Sequence, residues 1–192
     1  MPLTPRVLQL EGLAAELSPG ITWLQVVPLE GLLADTWRET SDTLSNAADR
    51  TLLVAARRAC DLVVTTARTA TVEGYRASKV ATIVVVDRGG EYVPPASGPD
   101  TKPVIDVRDI SEVSKLGIAS DFILLESGMT YAAALGNRIE NLLITVADCS
   151  DPSAAISRVT ELARLLGGYT LDGVRAVPLQ QNTLVMARIT AA

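Results

Sequence analysis

The sequence predicts an α/β fold: a mixed, mainly parallel sheet with helices on both faces and a C-terminal antiparallel hairpin. Three observations carry that expectation. Short uninterrupted apolar runs recur at Leu62 to Val64, Ala81 to Asp87, Phe122 to Leu125 and Leu142 to Ala147, the pattern of strands buried on both faces. Segments of helical composition separate these runs, as parallel pairing requires. Near the C-terminus, Val174 to Leu179 and Leu184 to Ile189 flank the polar stretch Gln180 to Thr183, which suits a hairpin.

Taken in order, residues Met1 to Ile21 read as an N-terminal arm or short helix: Leu8, Leu10, Leu13 and Leu17 precede the stop Ser18-Pro19-Gly20. Trp23 to Val27 is apolar enough for a first strand, and Pro28 to Gly31 turns out of it. The polar stretch Leu32 to Asn46 reads as a loop. Ser45 or Asn46 is placed to cap a helix over Ala47 to Arg58, with Leu52, Leu53 and Ala56 on one side. Between the strands at Leu62 and Ala81, Thr65 to Val80 leaves room for a loop and a short crossover helix. Four prolines fall in Tyr92 to Pro103, an expected loop. A short strand at Val104 to Val107 and a short helix at Ile110 to Gly117 lead to the strand at Phe122. Ser153 to Leu166 places Ile156, Val159, Leu162, Ala163 and Leu166 at helical spacing, and Gly167-Gly168 stops that helix. Pro178 puts its strand on an edge or at a bulge.

The 192 residues suit one domain spanning residues 1–192. No stretch reaches the apolar length of a membrane span. With neither a basic start nor an apolar leader, the expectation is a cytoplasmic protein. Cys60 and Cys149 imply no disulfide framework. A net charge of −5 offers no basic field for nucleic acid or anionic lipid. The chain has no histidine, which removes histidine-based nucleophilic machinery, histidine metal sites and a histidine acid or base. No metal is expected. Carboxylate, hydroxyl and backbone chemistry remain, together with whatever a cofactor supplies.

Phe122 to Ala147 is the stretch on which function turns. Its first apolar run ends at Glu126; Ser127 and Gly128 then turn the chain into a helix over Met129 to Leu135, and a second strand follows. The first N–H groups of a helix lack intrahelical partners and carry the positive end of its dipole, so an anionic ligand fits there. Gly128 removes the Cβ that would stand in its way. The alternative is a tight connection without a ligand. A carboxylate placed directly after four apolar residues needs partners, from a ligand or from the N–H groups of its own turn.

Four segments together resemble the reductase domain of the riboflavin-biosynthesis deaminase/reductase, within the dihydrofolate-reductase-like group. Val27-Pro28-Leu29-Glu30-Gly31 is similar to that family's A-S-L-D-G turn, and Ser41 to Arg57 to its serine, loop and helix. Val64 to Glu73 is similar to its strand and small-residue loop, and Glu126-Ser127-Gly128-Met129-Thr130 to its E-G-G-P-T or E-A-G-P-T. The order is the family's over roughly residues 23 to 148. The resemblance implies a three-layer dihydrofolate-reductase-like fold, NADPH as cofactor, reduction of a phosphorylated ribosylaminopyrimidine and a homodimer. It would set Gly128, Met129, Thr130 and Tyr131 at the cofactor's phosphates, with Val27, Thr43, Thr69 and Glu73 lining the rest of its site. Arg88 would stand by the 2′-phosphate, and Ser41, Arg57 and Glu126 would face the substrate. Glu30 and Glu126 are the candidate catalytic carboxylates.

The departures are specific. The chain has Glu30 for the family's aspartate, T-A-R-T for its G-A-G-T, and Ser127 for the second residue of E-G-G. Where the family's D-P-x-L-x-x-R supplies an arginine for the substrate phosphate, it reads E-G-Y-R. They define two alternatives: a non-catalytic relative that keeps the fold and nucleotide binding, and a reductase of another small carbonyl, imine or pterin-like substrate. Single residues also have plainer readings: Glu30 and Arg88 as solvated ends, Arg57 as half of a surface pair with Arg58, and Thr69 as a helix cap.

Overall fold

The computed structural model describes residues 12, 18–30, 46–118 and 121–191. Apart from Gly12, the Val7 to Leu17 segment lies outside these, as does most of the expected loop at 32–46, and Ser41 and Thr43 with it. The elements are β1 (Gly20–Pro28), α1 (Ala47–Ala59), β2 (Leu62–Thr66), α2 (Ala67–Val72), β3 (Thr82–Val86), β4 (Val104–Val107) and a 3₁₀ segment at Ile110–Leu116. They continue with β5 (Phe122–Glu126), α3 (Met129–Leu135), a single 3₁₀ turn, β6 (Ile139–Ala147), α4 (Pro152–Gly167), β7 (Tyr169–Leu179) and β8 (Asn182–Ala191).

Among the described residues the sheet has eight strands in the order β4-β3-β2-β5-β1-β6-β8-β7. β4, β3, β2, β5, β1 and β6 are parallel, and β8 pairs antiparallel with both β6 and β7. On one face, Trp23, Leu125 and Ile144 pack with Val159, Leu162 and Leu166 of α4 and Ala132 of α3. On the other, Val63, Leu124, Leu143 and Leu184 pack with Ala48, Leu52 and Ala56 of α1 and Ala70 of α2. This three-layer sandwich is the expected fold class. Each helix shows the sheet a stripe at helical spacing: Ala48, Leu52 and Ala56 on α1, and Ala155, Val159, Leu162, Ala163 and Leu166 on α4.

Several boundaries move from their sequence-based positions. β1 begins at Gly20, not Trp23, because Gly20 N donates to Asp121 O and Glu140 accepts from Ile21 N at 2.5 Å. β2 runs on through Thr65 and Thr66. Thr65 is fully buried, and its hydroxyl donates to Glu126 O at 2.5 Å, so a polar side chain sits in a strand at no hydrogen-bonding loss. Thr69 does not cap its helix. Thr66 does, accepting from Thr69 N at 3.2 Å. The Ile110 helix is 3₁₀ rather than α. β6 starts three residues early, at Ile139. The hairpin turn narrows to Gln180 and Gln181, with Gln180 at φ 63°, while Asn182 and Thr183 join the ladder.

The register builds a step along the sheet's upper, C-terminal edge. β2, β3, β4 and β5 end almost level, as the pairs Thr65↔Glu126, Thr66↔Val86 and Val86↔Val107 show. β1 leaves β5 at Trp23↔Leu125 but stays paired with β6 to Pro28↔Ala147. Gln25 to Pro28 therefore rise past the end of β5 by about 13 Å at ~3.3 Å per residue. Among the described strands nothing pairs with them on the β5 side. The notch lies at the carboxyl ends of the strands, where the connections that leave the neighbours β1 and β5 run in opposite directions along the sheet, the place where open α/β sheets bind ligands.

Candidate active site

The floor of the notch is the turn from β5 into α3, and its backbone is pinned from both sides. Thr65 holds the carbonyl of Glu126, and Trp23 Nε1 donates to Ser127 O at 2.9 Å. Trp23 is fully buried, so the turn is anchored to the centre of the core. Arg158, which is 9% exposed, reaches from α4 to donate through Nε to Pro28 O at 3.1 Å, fixing the upper end of β1. Both walls are thus set by buried groups rather than by loop conformation.

Strand alternation sends Glu126 to the α1 face. There Arg57 grips it with two bonds, Nε to Oε1 at 2.8 Å and Nη2 to Oε2 at 2.6 Å. The hydroxyl of Tyr75 donates to the same Oε2, and the Arg57 guanidinium lies 5.1 Å from the Tyr75 ring centroid. Glu126 is 5% exposed and the Arg57 side chain 20%. Burial works against the charge on Arg57, but the Glu126 carboxylate outweighs it and raises the guanidinium's pKa. Burial, then Glu126, holds the Tyr75 phenol well above its ordinary value. Burial followed by Glu126 also pushes the neighbouring Cys60 thiol up to about 12, leaving it a poor nucleophile.

Two of the three expected substrate residues therefore meet each other. The carboxylate that needed partners takes them from Arg57 and Tyr75, not from the N–H groups of its own turn. Arg57 is not half of a surface pair. Tyr75 escaped the sequence reading, its only signal being its place in E-G-Y-R, where the resemblance called for an arginine. Glu30 is exposed beyond β1, in keeping with a solvated turn.

Beside this closed cluster the turn itself is open. Gly128 is exposed, and a Cβ built on it would meet nothing within 4 Å. With φ −64°, neither backbone strain nor packing demands a glycine there. No side chain caps α3, whereas Asn46, Thr66 and Asp151 cap α1, α2 and α4. The Ser127 hydroxyl is buried and has no hydrogen-bond partner among the described residues. Thr130 is exposed beside Gly128, and Met129 and Tyr131 pack partly against the core.

The remaining candidates divide. Val27 turns its side chain wholly into the core, so at this edge it presents only its backbone. Glu73 forms the C-cap of α2 and is half-buried, and Thr69 Oγ1 lies 3.0 Å from Thr66 Oγ1. Arg88 is exposed past β3. Its charge and that of Arg138 both act on Asp109, whose carboxylate the Ser111 N–H holds low, and on Tyr131, whose phenol burial raises. Arg88 and Tyr131 thus share one electrostatic neighbourhood on the flank of α3.

A second buried carboxylate, Asp49, was not singled out by sequence reasoning. It is 5% exposed. Its Oδ2 accepts from Asn46 N and from Asn182 Nδ2, each at 2.8 Å, while Oδ1 has no partner. Burial raises its pKa against the lowering by Asn46, Thr145 and Asn182.

The fold defines the class: an α/β protein of dihydrofolate-reductase-like fold. No family model and no curated protein matches the sequence, but solved structures match along nearly the whole chain. A pyrimidine reductase-like protein from Corynebacterium diphtheriae superposes with TM-score 0.59 at 12% identity, covering 98% of this chain and 100% of its own. A riboflavin biosynthesis reductase from Saccharomyces cerevisiae gives 0.59 at 12%, covering 90% of each chain. Dihydrofolate reductase from Enterococcus faecalis, solved with NADP(H), gives 0.55 at 9%, covering 88% and 96%. The chain is thus similar in fold to pyrimidine reductases of the riboflavin-biosynthesis type. No described helix is long and apolar enough to cross a membrane.

Proposed function

We propose that this chain is an NADPH-dependent reductase of a nucleotide-derived substrate, a phosphorylated ribosylaminopyrimidine or a close analogue. The observation that carries the reading is the notch: an unpaired stretch of β1 edge beside a turn whose glycine neither strain nor packing requires. These features fit the cofactor. The backbone groups of Gln25 to Val27 that face away from β6 can pair with a planar carboxamide, as another strand would. The uncapped start at Gly128 leaves N–H donors and room for a diphosphate. Arg88 stands on the same flank as a cation for a 2′-phosphate. Bound NADPH supplies the hydride. The protein's part is to hold the donor ring against the β1 edge, keep the turn fixed through Trp23 and Thr65, and exclude water with the side chains around Leu24 and Val26.

Fluorescence titration with NADPH and with NADH tests the reading. Saturable binding, tighter for NADPH, is expected; saturable binding of neither discards the cofactor. One observation favours a second reading, a non-catalytic relative: Glu126 is nearly buried and each of its oxygens already accepts from Arg57 or Tyr75, so these groups pair with one another across the place where the resemblance puts a substrate. NADPH binding with no oxidation in the presence of the ribosylaminopyrimidine would select it.

A further inference from the structure

The face that α4 turns to the sheet is apolar at Ala155, Val159, Leu162, Ala163 and Leu166, yet it also buries Arg158. A guanidinium on that stripe loses its water, so the chain must supply partners. Nε donates to Pro28 O at 3.1 Å, and Nη1 donates to Glu161 Oε2 at 2.7 Å. Glu161 is 60% exposed, so that pair adds little to stability. An apolar side chain of similar length would serve the stripe as well, since replacing a buried charge by a well-packed apolar group is often neutral or stabilising. It could not hold a carbonyl.

The carbonyl in question belongs to the wall of the notch. Pro28 is the last residue of β1 paired with β6, opposite Ala147. From Gln25 to Pro28 no described strand pairs with β1 on the β5 side, so this wall is laced along one edge only. A strand held along one edge can turn about that edge. A second fixed point, set in the helix layer rather than in the ladder, removes that freedom, and Arg158 provides one at the upper end of the stretch.

We infer that Arg158 is a positioning residue: through Pro28 O it sets the angle at which the β1 edge meets the nicotinamide carboxamide, and with it the pose of the hydride-donating ring. The inference rests on the cofactor reading proposed above. Arg158 lies C-terminal to the four segments that carry the resemblance and acts on the cofactor only through β1. It accounts for a charge that the packing of α4 does not require.

The test compares wild type with Arg158→Met, which keeps an unbranched stem but has no donor. NADPH and adenosine 2′,5′-bisphosphate, which lacks the nicotinamide, are titrated against each protein, and nicotinamide emission per bound NADPH is read at saturation. The variant is expected to lose about tenfold in NADPH affinity, the size of one hydrogen bond from a charged donor, and to give weaker emission from a ring less firmly held. It should bind adenosine 2′,5′-bisphosphate as wild type does. Asp151→Ala, which removes the cap of the same helix without touching Pro28 O, should keep wild-type affinity for both ligands. Equal NADPH affinity and emission in wild type and Arg158→Met overturn the inference while leaving the cofactor reading intact. Equal losses on both ligands, or a matching loss in Asp151→Ala, overturn it too, by tracing the effect to the seating of α4. A wild type that binds no NADPH removes the cofactor reading, and this inference falls with it. If Arg158→Met does not fold, Arg158→Leu gives the same comparison.

Discussion

Two strand-to-helix turns lie on the upper edge of the sheet, one on each side of β1, and they are finished in opposite ways. The turn from β6 into α4 is closed by its own chain. Asp151 caps the helix by accepting from Ser153 N at 2.9 Å, with Pro152 in the first turn. Asn182 Oδ1 accepts from Asp148 N at 3.1 Å, and Thr183 takes Cys149 O. The turn from β5 into α3 has its carbonyls held equally firmly, but its helix start is uncapped, its serine hydroxyl unmatched and its glycine unneeded by the backbone. The first turn spends its polar groups on stability. The second is rigid yet incomplete, the state expected of a preorganised site. Glu126 belongs to the closed kind, although it heads the open turn.

The sharpest way to break this contrast is at the closed cluster. Arg57→Ala leaves the Glu126 carboxylate buried with only the Tyr75 hydroxyl, and an unpaired buried charge is costly. Because Arg57 keeps 20% exposure, the expected loss is about 3 kcal/mol, near the low end for buried pairs, read as a lower urea midpoint at unchanged slope. A loss under about 1 kcal/mol would mean the pair is a surface contact.

Asn182 comes next. Asn182→Ala removes one of the two donors to Asp49 Oδ2 and the acceptor for Asp148 N, with an expected loss of about 2 kcal/mol. The pH dependence gives its sign. Burial holds the folded-state pKa of Asp49 above the ordinary 3.8, so between those values the folded chain binds more protons than the unfolded one. Stability from this group is full below pH 3.8 and declines as pH rises through the raised value. The wild-type minus Asp49→Asn difference should therefore fall as pH rises above 4. Asn182→Ala, which removes a bond favouring the charged form, should carry that fall to higher pH. A difference that rises with pH would show that the capping bond from Asn46 outweighs burial.

What the sequence disclosed follows from the range of the forces involved. β3 and β5 are legible because strands buried on both faces need uninterrupted apolar residues, and α4 because one apolar stripe faces the sheet. Glu126 stood out because a carboxylate after Phe122 to Leu125 demands partners. Those partners were not legible: Arg57 and Tyr75 come from 69 and 51 residues away. Asp49 reads locally as the third residue of a capping box with Asn46, and only the contact with Asn182, 133 residues on, reveals it as buried. Thr65 reads as loop because its polarity is offset by a tertiary bond to Glu126 O, while Thr66 ends the strand by capping the next helix through Thr69. Residue types announced which groups need satisfying; the fold decided which are satisfied by the chain.

The smallest effects separate the two turns most cleanly. Asp151→Ala removes a matched cap and should cost about 1 kcal/mol with no change in NADPH affinity. Gly128→Ala should do the reverse. At φ −64° the new Cβ is unstrained and meets nothing. The poorer cap preference of alanine is offset by the entropy that glycine gives the unfolded chain, so stability should stay within about 0.5 kcal/mol. The added methyl occupies the space proposed for the diphosphate, and NADPH affinity should drop at least several-fold. Thermal melts and fluorescence titrations on the two variants give four numbers. If Gly128→Ala changes neither stability nor binding, the open turn is merely unfinished, and its difference from the closed one carries no ligand.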